Sequence, residues 1–244
     1  MRMYLFKREI VLLSVILLIS AVLIFPPDAY SAGTIQLNKG AVLELQVADS
    51  ATKGGGLANM PEQIVSYTGS QVSSADKSSK TLSASTTSEI GRYNSWAKLQ
   101  SQFTVARGNN GQTFGKARIT IDGGHYKGSL EKLCLACFAS VQLKMNVSDQ
   151  DKSTNEEKVI LSHELAMIGS KDFNSNFSKS IEVTVIYGKT YFVDLYLETA
   201  ARGVALMGYA RADFSGDDNK VTYEKVKVEI LESGMPASGP GRYR

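Results

Sequence analysis

Two histidines, two cysteines and one tight group of acids are the side chains of this 244-residue sequence best suited to chemistry. His125 sits in Asp122-Gly123-Gly124-His125-Tyr126, a loop that would bring an acid and an imidazole together. Hydrolysis by a triad needs a nucleophile, a base and an orienting group. Serines are abundant, but none sits in a Gly-x-Ser-x-Gly elbow. His163, flanked by Ser162 and Glu164, lies near the end of a strand pattern. Both histidines are therefore expected to be loop or surface residues, and no catalytic role is expected.

Cys134 and Cys137 form a Cys-Leu-Ala-Cys motif. A redox centre would need a helix N-terminus in a βαβ setting. The flanks read as strand instead: Leu133 and Leu135 on one side, Val141, Leu143, Met145 and Val147 on the other. The expectation is a structural pair, bridged or free. The next residue is Phe138, which excludes c-type haem attachment. The Cys-to-His spacings match no zinc-finger pattern.

Asp213, Asp217 and Asp218, with Ser215 and Asn219, are the best metal candidate, and the ion would be calcium. Calcium takes six to eight oxygen ligands. Counting from Asp213 puts Glu224 at the twelfth position but Asp218 at the sixth, where an EF-hand loop requires glycine. The competing reading is a polar turn between the last two strands. No other cofactor is expected.

Exposed aromatic rings could stack on sugars. The candidates are Tyr93, Trp96, Tyr187, Tyr191, Phe192 and Tyr196. Phe192 and Tyr196 share one strand face with Asp194 and Glu198, opposite Tyr191, Val193, Leu195 and Leu197. If the second set is the core, Phe192 and Tyr196 form an outward pair suited to a glycan or a protein. The competing reading is a second core face or cross-strand packing. Trp96 is expected in the core. Gly54-Gly55-Gly56 lacks the Lys-Ser/Thr ending of a phosphate loop and reads as flexible. Asn146-Val147-Ser148 and Asn176-Phe177-Ser178 fit the glycosylation acceptor pattern.

The elements that position these groups are strands. Period-2 alternation dominates, and few stretches have helical periodicity. Leu43, Leu45 and Val47 alternate with Glu44 and Gln46. Trp96 to Val105 and Phe114 to Ile121 flank Asn109-Asn110-Gly111 and read as a hairpin. Ser180 to Tyr187 turns at Gly188-Lys189 into the strand from Tyr191. Val204 to Phe214 is expected to pair back after Arg202-Gly203, and Val221 to Leu231 closes the series. Ser50 to Glu62 reads as a loop, and Ser70 to Ser88 as a solvated strand pair or a loop. Between Pro61 and Pro236 there is no proline, which suits continuous pairing. Short turns without helices predict an antiparallel β-sandwich, jelly-roll-like, over residues 32–232. Residues 233–244 read as a disordered tail.

The N-terminus fixes the compartment. Arg2, Lys7 and Arg8 precede an apolar run from Ile10 to Phe25, then Pro26-Pro27 and Ala29-Tyr30-Ser31. That is the pattern of a secretory signal helix over 1–31, cut after Ser31. The run is long for a signal and short for a membrane span, so an uncleaved anchor is the alternative. Past the signal no segment is apolar enough to span a membrane. The net charge of +3 is spread over both signs, which argues against a nucleic-acid partner. A secreted, cell-surface or periplasmic location follows.

Gly188-Lys189-Thr190-Tyr191-Phe192-Val193-Asp194-Leu195, then Gly208-Tyr209-Ala210-Arg211-Ala212-Asp213-Phe214-Ser215, then Val221 to Ile230, resemble a recurrent ending. It is similar to that of the exosortase-sorted PEP-CTERM proteins, over roughly residues 180–231. The stretch from Ser95 to Phe103 has the same character. The tail departs from the pattern: it has no Pro-Glu-Pro motif, no terminal apolar helix and no basic cluster. The resemblance implies a surface β-sandwich of the envelope or extracellular matrix without known catalysis, and it transfers no functional residues. The expected role is structural or adhesive, with other surface or matrix proteins as partners. Self-association is expected through strand addition by Thr34 to Ala48. The alternative is a carbohydrate-binding module, with or without calcium.

Overall fold

A computed structural model describes residues 33–46, 48–57, 68–204 and 208–234. The signal segment and the residues beyond 234 lie outside them. The described residues belong to one compact unit, Ala32–Arg244. They form thirteen strands and no helix: β1 Gly33–Gln36, β2 Val42–Leu45, β3 Ser50–Leu57, β4 Thr68–Asp76, β5 Thr81–Ala106, β6 Phe114–Lys132, β7 Phe138–Asp149, β8 Asn155–Glu164, β9 Gly169–Ile186, β10 Thr190–Gly203, β11 Ala210–Phe214, β12 Val221–Thr222 and β13 Lys225–Gly234. The fold is an all-β sandwich, antiparallel except where β1 runs parallel to β5.

The first sheet has the order β3–β5–β10–β7–β8, with β1 beside the end of β5. The second is built on β6. It pairs β9 along one side and β11, β12 and β13 along the other. The first half of β5 joins this sheet, between β4 and β11–β12. The inward rows meet in a single core. Phe103 stacks on Tyr191 at 5.4 Å, and Phe173 meets Phe214 at 5.8 Å.

Strand β5 is 26 residues long and serves both sheets. In its first half the even positions Leu82, Ala84, Thr86 and Ser88 are buried. In its second half the odd positions Ala97, Leu99, Ser101, Phe103 and Val105 are. A strand has period 2, so one extra residue is needed to exchange its faces. That residue is Glu89, skipped where Thr68 pairs Ile90 and Gly69 pairs Ser88. Gly91 follows with φ +94°, and its partner Gly203 lies so close that a Cβ there would sit 2.3 Å from the Glu89 carbonyl carbon. Ser88 stitches the crossing. Its buried hydroxyl donates to the Gly91 carbonyl at 2.6 Å and accepts the Gly203 N–H at 3.0 Å.

Several expected connections differ. Asn109-Asn110-Gly111 does turn the chain, but β5 pairs there with β10 and β1 while β6 pairs with β9 and β13. The turn is an arch between sheets, not a hairpin. Gly188-Lys189 arches likewise from β9 to β10, and β11 pairs with β5 and β6 rather than back onto β10. Ser50–Leu57, read as a loop, is strand β3. The region 70–88 holds a true hairpin of β4 and β5. The last strand runs two residues past 232. The segment from Thr34, expected to add to a neighbouring subunit, is used internally: β1 on β5 and β2 on β13. No helix among the described residues is long and apolar enough to cross a membrane.

The turns at 107–113, 150–154 and 187–189 lie at one end of the sandwich. Asp149 ties two of them. Its carboxylate is fully buried, 2.7 Å from Lys189 Nζ, and accepts from the Ser153 hydroxyl and the Thr154 N–H. Burial pushes this carboxyl up, but the bonds from Lys189, Ser153 and Thr154 outweigh it and hold it well below the carboxylate range. Such a group contributes stability above its ordinary value of 3.8 that is lost as pH falls below it. Asp149→Asn is therefore expected to lower Tm by several degrees at neutral pH and to flatten the acid limb of a Tm-versus-pH curve. Ser88→Ala removes both of these bonds to buried backbone groups. Denaturant titration is expected to show a loss of about 2 kcal/mol.

Candidate functional site

The outer face of the first sheet is polar, because each of its strands alternates core residues with hydrophilic ones. Pairing aligns these outward residues in rows. One row runs Gly54, Trp96, Glu198, Gln142, Ser162 across β3, β5, β10, β7 and β8. Four gaps between five strands make it about 19 Å long. The next holds Lys98, Tyr196 and Lys144, and the one after it Gln100, Asp194 and Asn146. Toward the opposite end of the sandwich lies the row Asn94, Ala200, Ser140, Glu164.

Trp96 and Tyr196 sit in neighbouring rows with ring centroids 6.0 Å apart, both half-buried. Gly54 makes room for the indole, since a Cβ there would lie 2.8 Å from its Cε2 and Cζ2. The glycine triplet thus forms a strand that floors a tryptophan, not a flexible loop. The Tyr196 hydroxyl points to Glu198 Oε2 at 3.4 Å. Burial, with the charge of Glu198, pushes this phenol up to about 12, so it stays a donor at neutral pH. Gln100 donates to Asp194 at 2.8 Å, and Lys98 pairs with the same carboxylate at 3.4 Å. Lys144 pairs with Glu157 at 3.0 Å. Asn146 Oδ1 is buried with no hydrogen-bond partner, an unmet acceptor on this face. Beside Glu198 a hollow of about 410 Å³ is lined by Gln142, Ser140, Ser162, Glu164 and Arg92.

Phe192 and Tyr196 both lie on the outer face, half-buried, while Tyr191 is fully buried against Phe103. Phe192 is two rows from Tyr196, beside Gln102 and Ser148. Trp96 is not in the core as expected. The signal was present in its own strand: Trp96, Lys98, Gln100 and Gln102 share one phase, while Ala97, Leu99, Phe103 and Val105 share the other. Gly54 and Gln142 carried no signal, because only strand pairing brings them beside Trp96 and Glu198.

Cys134 and Cys137 form a disulfide. The acids do not gather. Both oxygens of Asp213 are engaged, one with Arg211 and the other with the Ser215 N–H and hydroxyl. Asp218 is exposed and faces Lys127 at 3.8 Å, and Asp217 is exposed. Among the described residues no three His, Cys, Asp or Glu side chains are grouped to hold a metal. His125 bonds Asn174 at 2.9 Å rather than Asp122, and His163 meets Phe173 edge-on.

No family model matches the chain, and no curated protein matches it in sequence. Among solved structures, a carbohydrate-binding module from the β-sandwich superfamily aligns at 14% identity over 71% of this chain, with TM-score 0.24. The chain spans 56% of the length of that structure. A module in complex with β-1,4-galactotriose aligns at 11% identity over 66% of this chain and 90% of its own, with TM-score 0.19. Both similarities are low.

The engaged state of Asp213 makes a calcium prediction. Thermal melts in millimolar calcium and in chelator are expected to give the same midpoint. A rise with calcium would assign the Asp213–Asp218 turn a ligand.

Proposed function

We propose that this chain is an exported, non-catalytic binding module whose first sheet holds glycans of an envelope or matrix on its outer face. The observation that carries this reading is the Trp96–Tyr196 pair, with Trp96 in an outward row about 19 Å long that also holds Glu198, Gln142 and Ser162, and Tyr196 in the row beside it. Sugar rings have apolar faces and hydroxyl rims. Two aromatic rings serve the first, and Gln142, Glu198 and Ser162 serve the second. Local ion pairs offset Lys98 and Lys144, which suits a neutral polyol. His125 bonds Asn174 and His163 packs edge-on against Phe173, and this reading assigns neither imidazole a catalytic role. Export is supported by the residue pattern of 1–31 and by a disulfide, which persists in oxidising compartments.

A glycan array with the protein from residue 32 onward tests the reading. Binding is expected, and Trp96→Ala or Tyr196→Ala should weaken it at least about tenfold while circular dichroism shows the fold retained. Gly54→Val should weaken it too, by displacing the indole from its floor. An array without hits, or hits indifferent to both aromatic changes, would remove the glycan reading.

A further inference from the structure

The end of the sandwich that carries the 133–137 and 165–168 loops is apolar at its tips. Leu135 is 74% and Met167 75% exposed, with Leu133 at 47% and Ile168 at 53%. Scattered surface aliphatics need no explanation, but four on two joined loops do. The loops are held together. Lys132 is buried, and its ammonium donates to the carbonyls of Cys137 at 3.3 Å and Ala166 at 3.1 Å. The disulfide turns both sulfurs inward and Leu133 and Leu135 outward. The short Cys134–Cys137 bridge closes the loop that carries Leu133 and Leu135.

Beside the tips lies an unusual charge arrangement. Arg92 and Arg202 are directly opposite each other on β5 and β10, where like charges repel. Arg92 lies over the Phe138 ring at 5.2 Å, and Arg202 donates to the Ala136 carbonyl at 2.9 Å in the disulfide loop. Neither joins a carboxylate ion pair among the described residues. Glu164 and Glu198 line the same hollow as Arg92. Two held guanidiniums next to protruding aliphatics match the two layers of an anionic bilayer, phosphates above acyl chains.

We infer that this end docks on membranes carrying anionic phospholipid: Leu133, Leu135, Met167 and Ile168 enter the interface while Arg92 and Arg202 take the phosphates. A protein partner fits less well. Four side chains on loop tips expose a few hundred Å², against the roughly 800 Å² that each side of a stable complex buries. The inference uses residues outside the Trp96–Tyr196 pair, so it stands or falls apart from the glycan reading.

Co-sedimentation with vesicles of phosphatidylcholine, and of phosphatidylcholine with phosphatidylglycerol in equal parts, tests it. Neither contains sugar. Binding to the mixed vesicles is expected, weaker to phosphatidylcholine alone and weaker at high salt. Leu135→Asp with Met167→Asp should cut binding at least about tenfold, and Arg92→Gln with Arg202→Gln should remove the preference for the anionic lipid. Trp96→Ala should bind vesicles normally. Circular dichroism and Tm would establish that each variant is folded. The inference fails if the parent protein binds neither vesicle, or if the aspartate pair binds as the parent does. It also fails if the tips instead mediate self-association that the aspartate pair abolishes.

Discussion

Where β5 leaves one sheet and enters the other, the Ser88 hydroxyl bonds two backbone groups, the Gly91 carbonyl and the Gly203 N–H. The crossing makes one strand the shared wall of both layers. It requires the faces of β5 to be exchanged, which the bulge at Glu89 does, and it requires two backbones to approach within side-chain distance, which Gly91 and Gly203 permit. Buried polar groups are tolerated only when satisfied, and the hydroxyl satisfies both. The core is continuous because this corner closes.

The same exchange of faces sets the candidate site. Without the extra residue at 89, the phase that buries Leu82 and Ala84 would carry Trp96 inward and Ala97 out. With it, Trp96, Lys98 and Gln100 line up with Glu198, Tyr196 and Asp194. A central position for β10, flanked by β5 and β7, then gathers side chains from three distant stretches onto one surface. The site is a property of register more than of any local motif.

That explains what could be read from the chain alone. Alternation in β10, with Tyr191, Val193, Leu195 and Leu197 against Phe192, Asp194, Tyr196 and Glu198, is enough to recognise a half-buried strand and its polar face. The scarcity of helical periodicity past the signal is enough for an all-β class. What alternation does not encode is the partner. Asn109-Asn110-Gly111 turns the chain whether the next strand stays in the sheet or crosses the core, and an arch looks like a hairpin in one dimension. Gly54 is equally mute. Three glycines in a row carry the composition of a loop, and only the indole lying over one of them shows why a side chain is excluded.

The breadth of β5 has a consequence for how the chain acquires its shape. Its partners begin with Gly33–Gln36, near the start of the described chain, and end with Val221–Thr222, near its finish. A ribosome therefore emits the wall of the sandwich long before the last strand that lines it. The strands that pair with β6 and with the second half of β5 include β9 to β13, so these rows are fully covered only late in synthesis. Many of the pairings, β5 with β10 and β6 with β9 and β13 among them, close long loops, a topology that slows folding. A chain with that habit remains threadable, and in need of protection, for most of its synthesis.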